Sequence, residues 1–407
     1  MLIVADDLSG AAEVAAEFAR THGAPIPLAL GDDAPTESAA PTVRETAATI
    51  AIDTDSRYAP EASARARTRA ALHAVPDAPL VFAKVDSLLR GHIGAVVDEL
   101  MLDGRTVVVT FGHPSAGRVA LDGDLLVHGT PLHHTDAWHA ESAQPPLSTF
   151  ELFTTVDARL VPLRSTRDAE RLRAELAACA GDGIVPVCDA ETAEDLCSVA
   201  AAALALGERT ALVGTGGLAR AVAEVLGRGE QVGVESLQHP TPEAGPRGQP
   251  GPHLARRPIV VVAGTRSAVI AEQLHRLRSI GAESVRLNRE DLRRGTTPLG
   301  LDELPLTVVT LDESIESTLS EIASLAEAVA PSLSADDAHV VLTGGETARR
   351  VLDAIGIRAL QVLAPLGEGA VLSLADRGRA VVTRPGAFGG PDHLVDVVRS
   401  IRTMMEP

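Results

Sequence analysis

Two adjacent carboxylates near the start of the chain are the first residues whose types indicate chemistry. Asp6 and Asp7 follow the apolar run 1–5 and precede a short Ser-Gly turn. A carboxylate pair at the end of a buried strand can bind Mg²⁺, hold sugar hydroxyls or act as a general base. The structural alternative is that one of them caps the helix expected at 12–22. Because a cap needs only one carboxylate, we predict that both belong to a catalytic site.

A second cluster, at 84–91, combines two cations, a carboxylate and a hydroxyl. Lys84 and Arg90 can hold a substrate carboxylate, and arginine offers the two-nitrogen geometry that fits such a group. Asp86 and Ser87 can bind hydroxyls. The alternative is a solvated helix start with an internal ion pair. We predict that Lys84 and Arg90 take part in catalysis and that Asp86 and Ser87 bind the substrate.

A related cluster follows the apolar run 48–52. Its sequence, Asp-Thr-Asp-Ser-Arg at 53–57, repeats the carboxylates, hydroxyl and cation of the cluster just described. Two such clusters after successive apolar runs exceed what a random surface gives. Asp55, Ser56 and Arg57 are therefore predicted to bind the substrate, with Arg57 adding to the cations around its carboxylate.

Glycine-rich loops indicate a different ligand. Three of them stand between a predicted strand and a predicted helix, at 214–217, 264–267 and 344–347, and a fourth glycine-rich segment lies at 385–390. Such loops expose N–H groups at a helix N-terminus, where phosphate is favoured. None continues into Gly-Lys-Ser/Thr, and none is a full G-x-G-x-x-G motif. Each loop alone is a weak signal, since tight turns also use glycine. The loops at 264–267 and 344–347, together with the segment at 385–390, strengthen the signal for phosphate binding.

Apolar runs place the polar clusters at the ends of predicted strands. The runs 1–5, 48–52, 80–83 and 106–111 are followed by polar loops, and the loops lead into stretches rich in Ala, Arg or Glu. Alternation of strand, loop and helix is typical of a parallel α/β sheet. Ligands of such sheets bind beyond the carboxyl ends of the strands. We therefore expect the charged clusters of the first half to converge on one site.

A change of composition near the middle of the chain indicates two domains. Hydrophobic periodicity is lost before a segment, 241–252, that is rich in proline and glycine and reads as a flexible linker. Units of strand, loop and helix resume after it. We predict an α/β fold of two domains with mainly parallel sheets: an N-terminal domain at 1–228, a linker at 229–257 and a C-terminal domain at 258–407.

The segment 112–140 lacks the βα alternation and predicts a hairpin or a lid. Its turn residues and short apolar runs are accompanied by four histidines, His128, His133, His134 and His139. Their spacing matches no common zinc motif. A polar hairpin is therefore a better interpretation than a zinc site.

Composition limits the class of partner. The 407 residues include only 2% aromatic residues and carry a formal net charge of −19. Both features argue against binding to nucleic acid, and the charge argues against binding to anionic membranes. No apolar run reaches the ~18 residues of a membrane helix, and no secretory signal is recognised. The three cysteines fit neither a metal motif nor a disulfide framework, so a reducing cytoplasm is the expected compartment.

Taken in order, these segments resemble the four-carbon acid sugar kinase family, formerly a domain of unknown function, DUF1537. The family opens with Ala-Asp-Asp-Leu-Thr/Ser-Gly-Ala, which matches 5–11, and carries Asp-Thr-Asp-Ser-Arg, which matches 53–57. Its further segments are Lys-x-Asp-Ser-Thr-Leu-Arg-Gly-Asn, Pro-x-x-Gly-Arg, Gly-x-x-Ser, Gly-Gly-Glu/Asp-Thr and Lys-x-Gly-Gly-Phe-Gly, which correspond to 84–92, 114–118, 264–267, 344–347 and 384–389. Their order and spacing across nearly the whole chain make the resemblance specific.

The resemblance implies a sugar-acid domain followed by an ATP domain, with the active site in the cleft between them. Its substrates would be threonate, erythronate or 3-oxo-tetronates, phosphorylated at the terminal hydroxyl with ATP and Mg²⁺. It adds Gly91 and Arg118 to the expected substrate residues. The residues expected to bind the nucleotide are Ser267, Gly344, Gly345, Glu346, Thr347 and Gly386. No metal ligand is assigned, and a homo-oligomer is compatible with the resemblance.

Several positions depart from the family segments, so the substrate stays open, as does the choice between Asp6 and Asp7 as the base. Leu88 stands where Thr is frequent, His92 where Asn is, Arg384 where Lys is, Ala387 where Gly is, and Ala12-Glu13 where Asn-Asp is common.

Two other functions also stay open. One is a nicotinamide-dependent oxidoreductase, against which the incomplete glycine motif at 214–219 argues. The other is a small-molecule sensor that binds without turnover.

Overall fold

The fold is taken from a computed structural model. The residues that it describes are 1–31, 48–139, 141, 143–228, 253–264, 267–295, 299, 305–336, 338–386 and 388–406.

The chain forms two compact units. Unit 1 contains Met1–His22 and Leu30–Pro240, and unit 2 contains Gly23–Ala29 and Thr241–Pro407. Of the predicted linker at 229–257, residues 229–252 lie outside the described residues, so the predicted boundaries stay a prediction. The structure adds that residues 23–29 pack with unit 2, which the sequence did not indicate.

The strands are numbered along the chain. They are β1 Leu2–Ala5, β2 Ile26–Leu30, β3 Ile50–Asp53, β4 Leu80–Lys84, β5 Thr106–Thr110, β6 Arg118–Leu121, β7 Asp124–Val127, β8 Thr130–Pro131, β9 Ala158–Val161, β10 Val185–Cys188, β11 Thr210–Gly214, β12 Ile259–Ala263, β13 Glu283–Leu287, β14 Leu306–Leu311, β15 His339–Thr343, β16 Ala359–Pro365, β17 Val371–Ala375 and β18 Arg379–Arg384.

The helices are numbered in the same way. They are α1 Leu8–His22, α2 Glu61–Ala74, α3 Ile93–Leu102, α4 Leu163–Thr166, α5 Ala169–Asp182, α6 Ala193–Leu204, α7 Gly216–Arg228, α8 Ala268–Ser279, α9 Arg289–Arg294, α10 Leu319–Asp336, α11 Gly345–Ala354 and α12 His393–Met404.

Unit 1 is built on a parallel sheet with the strand order β3-β1-β4-β11-β5-β10-β9. β1 lies between β3 and β4, and Leu2 is paired with Ile50 on one side and Val81 on the other. β1, β4 and β11 are fully buried, as apolar runs covered by helices on both faces must be. The helices α1 and α7 pack against each other, as do α2 and α3. The predicted parallel α/β fold is confirmed.

The segment that lacked the alternation of strand and helix forms a small antiparallel sheet, β6-β7-β8. β6 and β7 are joined by a tight hairpin in which Leu121 pairs with Asp124. An isolated bridge between Ala120 and Ala190 ties this sheet to the rest of unit 1. The predicted hairpin is therefore confirmed for the described part of 112–140, which excludes residue 140.

Unit 2 has a mixed sheet with the order β13-β14-β12-β15-β18-β17-β16-β2. The first five strands of this order are parallel, whereas β17, β16 and β2 pair in antiparallel fashion. β2 joins through pairs such as Ala29 with Ala359. The antiparallel part was not predicted, because a hairpin such as β16-β17 carries no helix between its strands.

The first helix begins four residues earlier than predicted. α1 starts at Leu8, and the N–H of Ala11 already donates to the carbonyl of Asp7 at 3.0 Å. Glycine suits position 10, inside the helix, because the side chains of Asp7 and Lys84 leave no room there for a Cβ. A Cβ at Gly10 would lie 2.7 Å from Asp7 Oδ1. The acidic pair therefore stands directly at the start of a helix.

Within the part of the chain that the structure describes, no helix combines the length and the apolar character needed to cross a membrane.

Candidate active site

The charged clusters of the first half meet at one edge of the unit 1 sheet. β3, β1 and β4 are adjacent and parallel, so their carboxyl ends lie side by side. The loops that leave these ends carry the residues 54–57, 6–7 and 85–91, respectively. The convergence expected from the sequence is therefore what the fold produces.

Arg57 lies at the centre of this edge and is surrounded by carboxylates. Its Nη2 donates to Asp6 Oδ1 and to Asp7 Oδ1, each at 2.7 Å, and its Nε donates to Asp6 Oδ2 at 2.9 Å. Its Nη1 is 3.7 Å from Asp86 Oδ1. Burial alone would lower the pKa of Arg57, but the three carboxylates raise it well above its usual value. Arg57 is a permanent cation that fixes the acidic pair.

Asp86 is held by a second arginine. Arg90 donates through Nε to Asp86 Oδ2 and through Nη2 to Asp86 Oδ1, both at 2.8 Å. The Leu88 N–H adds a bond of 3.0 Å to Oδ2. Burial raises the pKa of Asp86, but Arg57 and Arg90 outweigh it and hold this pKa well below its usual range. Asp86 therefore stays ionised and its two oxygens are engaged within the protein.

The two adjacent aspartates differ in their surroundings. Asp6 is the more buried and accepts from Arg57 with both oxygens, and burial raises its pKa although Arg57 opposes the rise. Asp7 accepts from Arg57 and from the Gly10 N–H, at 3.1 Å, with Oδ1 alone. Among the described residues nothing donates a hydrogen bond to Asp7 Oδ2. Of the two, Asp7 keeps an oxygen for a ligand.

Lys84 ends β4 next to this pair, and only 7% of its side chain is exposed. Its Nζ lies 3.7 Å from Glu13 Oε2, and Glu13 Oε1 lies 3.7 Å from His113 Nε2. Burial raises the pKa of Glu13, but Lys84 and His113 lower it to about 2. Glu13 and His113 were not among the predicted site residues. A signal was present for His113, because it follows a strand of the same sheet, as the predicted clusters do.

Arg118 enters the site from β6. Its Nη1 donates to the Ser87 hydroxyl, and its buried Nε has no acceptor among the described residues. Burial lowers the pKa of Arg118, and neither Asp86 nor Glu13 is near enough to form an ion pair with it. Arg118 is thus a cation of the site whose charge is not met by a directly bound carboxylate within the described residues.

Three other predicted substrate residues shape the loops. The Ser56 hydroxyl bonds to that of Thr54 at 2.8 Å, and Asp55 Oδ2 lies 3.9 Å from Arg67 Nη1. Gly91 has a φ of +84°, and a Cβ there would lie 3.0 Å from Asp6 Oδ2. Ser56 holds the acidic pair through its backbone N–H, which donates to the carbonyl oxygen of Asp6 at 2.9 Å. Gly91 lets its own loop approach Asp6 without a side chain in between.

Two positions that depart from the family segments also serve the loops. His92 Nε2 is 2.6 Å from the carbonyl oxygen of Ala59, and Trp138 Nε1 donates to the carbonyl oxygen of Leu88 at 2.7 Å. Both contacts tie the 84–91 cluster to neighbouring segments of unit 1.

The glycine-rich loops of the second half lie together in unit 2. β12, β15 and β18 are adjacent and parallel, so the loops after Ala263, Thr343 and Arg384 leave the same edge of the sheet. The Gly344 N–H donates to the carbonyl oxygen of Arg384 at 2.9 Å. A Cβ at Gly264 would overlap Thr347 Oγ1, so the first and second loops are in close contact.

The predicted nucleotide residues occupy the following places. Gly344 precedes α11, and Gly345, Glu346 and Thr347 form its first turn. Ser267 caps α8, with its Oγ accepting from the Ile270 N–H at 3.2 Å. Glu346 Oε2 lies 3.3 Å from Arg350 Nη2, and Gly386 lies in the turn after β18. Residues 265, 266 and 387 lie outside the described residues.

These residues fit an anionic ligand, such as ATP, that accepts hydrogen bonds from hydroxyl groups of the protein. The hydroxyls of Thr343 and Thr347 are buried and have no hydrogen-bond partner among the described residues. The first turn of α11 supplies backbone N–H groups beside them, where phosphate is favoured. Among the described residues there is no group of three His, Cys, Asp or Glu side chains arranged to hold a metal ion. Glu346, in the first turn of α11, is a carboxylate of the kind that joins substrate phosphates around Mg²⁺.

Comparison with known proteins decides the family. A family model described as a sugar-binding N-terminal domain matches residues 1–222, and one described as a nucleotide-binding C-terminal domain matches residues 303–394. A D-threonate kinase from Cupriavidus necator is 31% identical over 415 residues, which cover 95% of this chain and 94% of the relative. The chain belongs to the four-carbon acid sugar kinase family.

One further relative agrees with this assignment, and one solved structure shows the same fold. A D-erythronate kinase from Heliobacterium modesticaldum is 34% identical over 256 residues, 57% of this chain and 56% of the relative. A solved structure from Salmonella typhimurium LT2 has the same fold, with a TM-score of 0.77 at 19% identity over 98% of each chain.

The resemblance stated from the sequence is confirmed, and so is the class of enzyme, a four-carbon acid sugar kinase. The oxidoreductase alternative finds no support in these similarities. The roles of the individual site residues stay predictions.

Proposed function

We propose that the protein transfers the terminal phosphoryl group of ATP to the terminal hydroxyl of a four-carbon sugar acid, and that D-threonate is its preferred acid. Similarity to a D-threonate kinase over nearly the full length of both chains supports this acid over D-erythronate, whose kinase matches little more than half. The observation that carries the proposal is the arrangement around Arg57, which leaves one oxygen of Asp7, close to Lys84, without a donor among the described residues. The second cation, Arg118, binds Ser87 of the neighbouring loop.

In this proposal Asp7 is the residue that orients and deprotonates the attacking hydroxyl. Asp7 Oδ1 is fixed by Arg57 and by the Gly10 N–H, so Oδ2 is presented in a constant direction. Phosphoryl transfer depends mainly on positioning and on charge stabilisation, and a fixed carboxylate serves the first need. Asp6 is bound on both oxygens by Arg57 and acts as the partner that keeps this arginine in place.

Lys84 and Arg118 are proposed to bind the carboxylate of the acid. The sequence assigned that role to Lys84, Arg57 and Arg90. However, Arg57 and Arg90 already donate to Asp6, Asp7 and Asp86 through two nitrogens or more. A cation that is engaged in this way has little attraction left for a second carboxylate. Arg118 offers the two-nitrogen geometry of arginine, and Lys84 offers a compact charge.

The nucleotide is proposed to bind in unit 2, at the glycine-rich loops and the first turn of α11. There the backbone N–H groups of 345–347 and the buried hydroxyls of Thr343 and Thr347 would meet the phosphates. Mg²⁺ would be held mainly by the phosphates, with Glu346 as a candidate carboxylate, and would neutralise charge on them. A cytoplasmic location and assembly into a homo-oligomer stay predictions. The free cysteines Cys179, Cys188 and Cys197 are compatible with a reducing compartment.

The test is turnover with defined acids. Purified protein is incubated with Mg²⁺ and ATP, and ADP release is measured with D-threonate, L-threonate, D-erythronate and a 3-oxo-tetronate. We expect D-threonate to give the highest kcat/KM. A phosphate on the terminal carbon would appear in ³¹P NMR as a triplet, because two protons are coupled to it. No ADP release above the rate with ATP alone, for any of the acids, would contradict the proposal.

Binding without turnover would instead favour a sensor. Thermal shift separates this outcome, because a ligand at about 100 times its Kd stabilises the fold by about 2.7 kcal/mol whether or not it reacts.

A further inference from the structure

Two buried polar side chains lie beneath the glycine-rich segment that follows β18 in unit 2. Gln273, on α8, and Arg384, the last residue of β18, are both fully buried. Arg384 Nη1 donates to Gln273 Oε1 at 2.6 Å. Neither residue was predicted to bind the nucleotide. Polar groups of this size are buried at a cost unless they are hydrogen-bonded, so the contacts that they make indicate their purpose.

The pair binds the backbone of three consecutive residues. Gln273 Nε2 lies 3.2 Å from the carbonyl oxygen of Phe388, 3.1 Å from that of Gly389 and 2.8 Å from that of Gly390. Arg384 Nη2 donates to the carbonyl oxygen of Phe388 as well. Three carbonyl groups in succession are thus turned inward, toward the pair.

Inward carbonyls direct the intervening N–H groups outward. In a planar trans peptide the C=O and the following N–H point in opposite directions, so the N–H groups of Gly389 and Gly390 face away from Gln273. The Gly390 N–H donates to Glu368 Oε2 at 2.8 Å, and the Glu368 side chain is 57% exposed. This N–H already binds an anionic oxygen, which is what successive backbone N–H groups in a loop are suited to do.

The shape of the segment is tightly specified at Gly389. This residue has a φ of +91°, a region that favours glycine, and a Cβ there would overlap His393 Nδ1. The segment therefore has little freedom to present its N–H groups in another direction while it stays on the Gln273–Arg384 pair.

The charge of Arg384 is not balanced by a neighbouring carboxylate. None of the carboxylates in the described residues lies within ion-pair distance of its guanidinium, and its buried Nε has no acceptor there. Burial lowers the pKa of Arg384 to about 10, with Glu368 opposing the shift. An unbalanced buried cation is costly in an apo protein, and its field is relieved when an anion binds nearby.

We propose that Gln273 and Arg384 form a positioning unit that holds the 388–390 backbone with its N–H groups toward a phosphate of the nucleotide, and that Glu368 occupies this place in the absence of nucleotide. The inference rests on the proposed function in taking the anion to be a phosphate of ATP. Arginine suits this position because its planar group donates to Gln273 and to the Phe388 carbonyl at once, which the single nitrogen of lysine does less well.

The decisive variant is Glu368→Gln, because Glu368 is exposed and its replacement leaves the buried pair intact. ATP and inorganic tripolyphosphate are titrated into the protein by calorimetry. Loss of the competing carboxylate should tighten both by about 3-fold to 10-fold, the range of an ordinary hydrogen bond, because an exposed carboxylate competes only weakly. Glu272→Gln, an exposed carboxylate of the same unit that is 48% accessible, is the matched control for the change in net charge. Unchanged or weaker binding in Glu368→Gln would overturn the proposal.

The second test addresses the pair itself. Gln273→Met keeps the volume but loses the hydrogen bonds, and we expect it to weaken ATP by about 10-fold while binding of D-threonate is unchanged. Arg384→Gln should weaken ATP more than AMP, since an electrostatic contribution grows with the number of phosphates, and Arg384→Lys should recover part of the loss. Arg399→Gln, which removes an exposed charge of the same unit, is the control. Equal losses for ATP and AMP in Arg384→Gln would contradict the electrostatic part, and ATP binding at the wild-type level in Gln273→Met would contradict the positioning part.

The outcomes separate this inference from the proposed function. If the unmodified protein binds ATP but phosphorylates no acid, the proposed function fails and the inference stands or falls on the variants. If turnover is found and the variants bind ATP as the unmodified protein does, only the inference fails. Should the buried variants fold poorly, as judged by circular dichroism, the Glu368→Gln result alone decides.

Discussion

Arg57 and Asp6 form a two-nitrogen ion pair across a sequence separation of 51 residues, with Nε 2.9 Å from Oδ2 and Nη2 2.7 Å from Oδ1. The same Nη2 reaches Asp7 Oδ1. A single guanidinium therefore joins the loops after β1 and β3 and sets the orientation of both aspartates. Stability and, under the proposed function, turnover should therefore both depend on this ion pair and on the cations around it.

Asp7→Asn should abolish most of the turnover without unfolding the protein. Removal of a general base costs about 10²-fold to 10⁴-fold in kcat, and an amide can still accept from Arg57 and from the Gly10 N–H. Steady-state kinetics with ATP and D-threonate measure the loss, and calorimetry should show ATP binding unchanged. Asp6→Asn is the matched comparison. A larger fall in kcat for Asp6→Asn than for Asp7→Asn, in folded protein, would move the role of base to Asp6.

Arg57→Leu should strongly destabilise unit 1. It leaves Asp6, Asp7 and Asp86 without their shared cation, and breaking a buried ion pair by removing one partner costs about 3–5 kcal/mol. Urea unfolding monitored by circular dichroism gives the free energy of unfolding. The control is Arg20→Leu, since Arg20 pairs with Glu17 but is 53% exposed, and its loss should cost less than about 1 kcal/mol. Similar losses for the two variants would show that the buried cluster does not depend on Arg57.

Gly91→Ala should cost stability and activity together. The φ of +84° disfavours alanine by about 1–2 kcal/mol, and the added Cβ would lie 3.0 Å from Asp6 Oδ2, tighter than ordinary contact. Gly104→Ala is a matched control, because its φ of +73° carries a similar backbone penalty and its Cβ would meet open space. The difference between the two in unfolding free energy and in kcat isolates the contact with Asp6. Equal effects in the two variants would mean that the residues around Gly91 move aside for the added Cβ without loss of stability or activity.

Glu13 should contribute to stability in a way that depends on pH. Burial raises its pKa, but Lys84 and His113 lower it from 4.5 to about 2 in the folded protein. A carboxyl with a lowered pKa stabilises the fold fully above its unfolded value, and the contribution is lost as the pH falls through the folded value. The difference in unfolding free energy between wild type and Glu13→Gln should therefore be constant above pH 4.5 and shrink between pH 4.5 and 2.

The measurement is a series of urea unfolding curves for both proteins across this range. Because Glu13→Gln carries no titratable carboxyl at this position, groups common to both proteins cancel in the difference. A difference that stays constant down to pH 2, or that grows as the pH falls, would contradict the assigned direction.

Arg118→Ala should raise KM for D-threonate by about 10-fold to 100-fold, because the variant loses one charge-assisted contact of about 1.5–3 kcal/mol. The effect on KM for ATP should be smaller. Arg118→Lys should recover part of the loss, because it restores the charge without the two-nitrogen geometry. Arg171→Ala, in which a 48% exposed arginine of unit 1 is removed, is the control for net charge. An unchanged KM for D-threonate in Arg118→Ala would exclude Arg118 from carboxylate binding.

Much of the site was predictable because strand ends can be recognised locally. Asp6, Asp7, Lys84 and Asp86 follow apolar runs, and in a parallel sheet such positions must share one edge. His113 follows a predicted strand and could have been included on that ground. Glu13 was not predicted as a site residue, since its contact with a loop about 100 residues away leaves no periodic pattern in the sequence. The same holds for Gln273, whose three acceptors lie 115 to 117 residues further along the chain.

The partners of the arginines were beyond the sequence as well. Arg57 and Arg90 were predicted to hold the substrate carboxylate, and the structure shows them bound to Asp6, Asp7 and Asp86. The sequence shows that both residues are cations. Which carboxylate each of them binds depends on the side-chain rotamers and on the register of neighbouring strands. Arg118 was expected from the resemblance to bind the substrate. Its proposed role in binding the carboxylate followed from the structure, in which no carboxylate of the described residues is paired with it.

The sequence by itself determined the α/β class, the family and the edge of the sheet at which the acidic pair lies. Apolar runs and strand-end motifs involve residues that are close in sequence, so they can be recognised from the sequence alone. Only the tertiary structure decided that β2 pairs with β16 in unit 2, that Arg57 fixes Asp6 and Asp7, and that Asp7 keeps a free oxygen. These are long-range choices among chemically equivalent partners, and packing and strand pairing settle them rather than the type of any one residue.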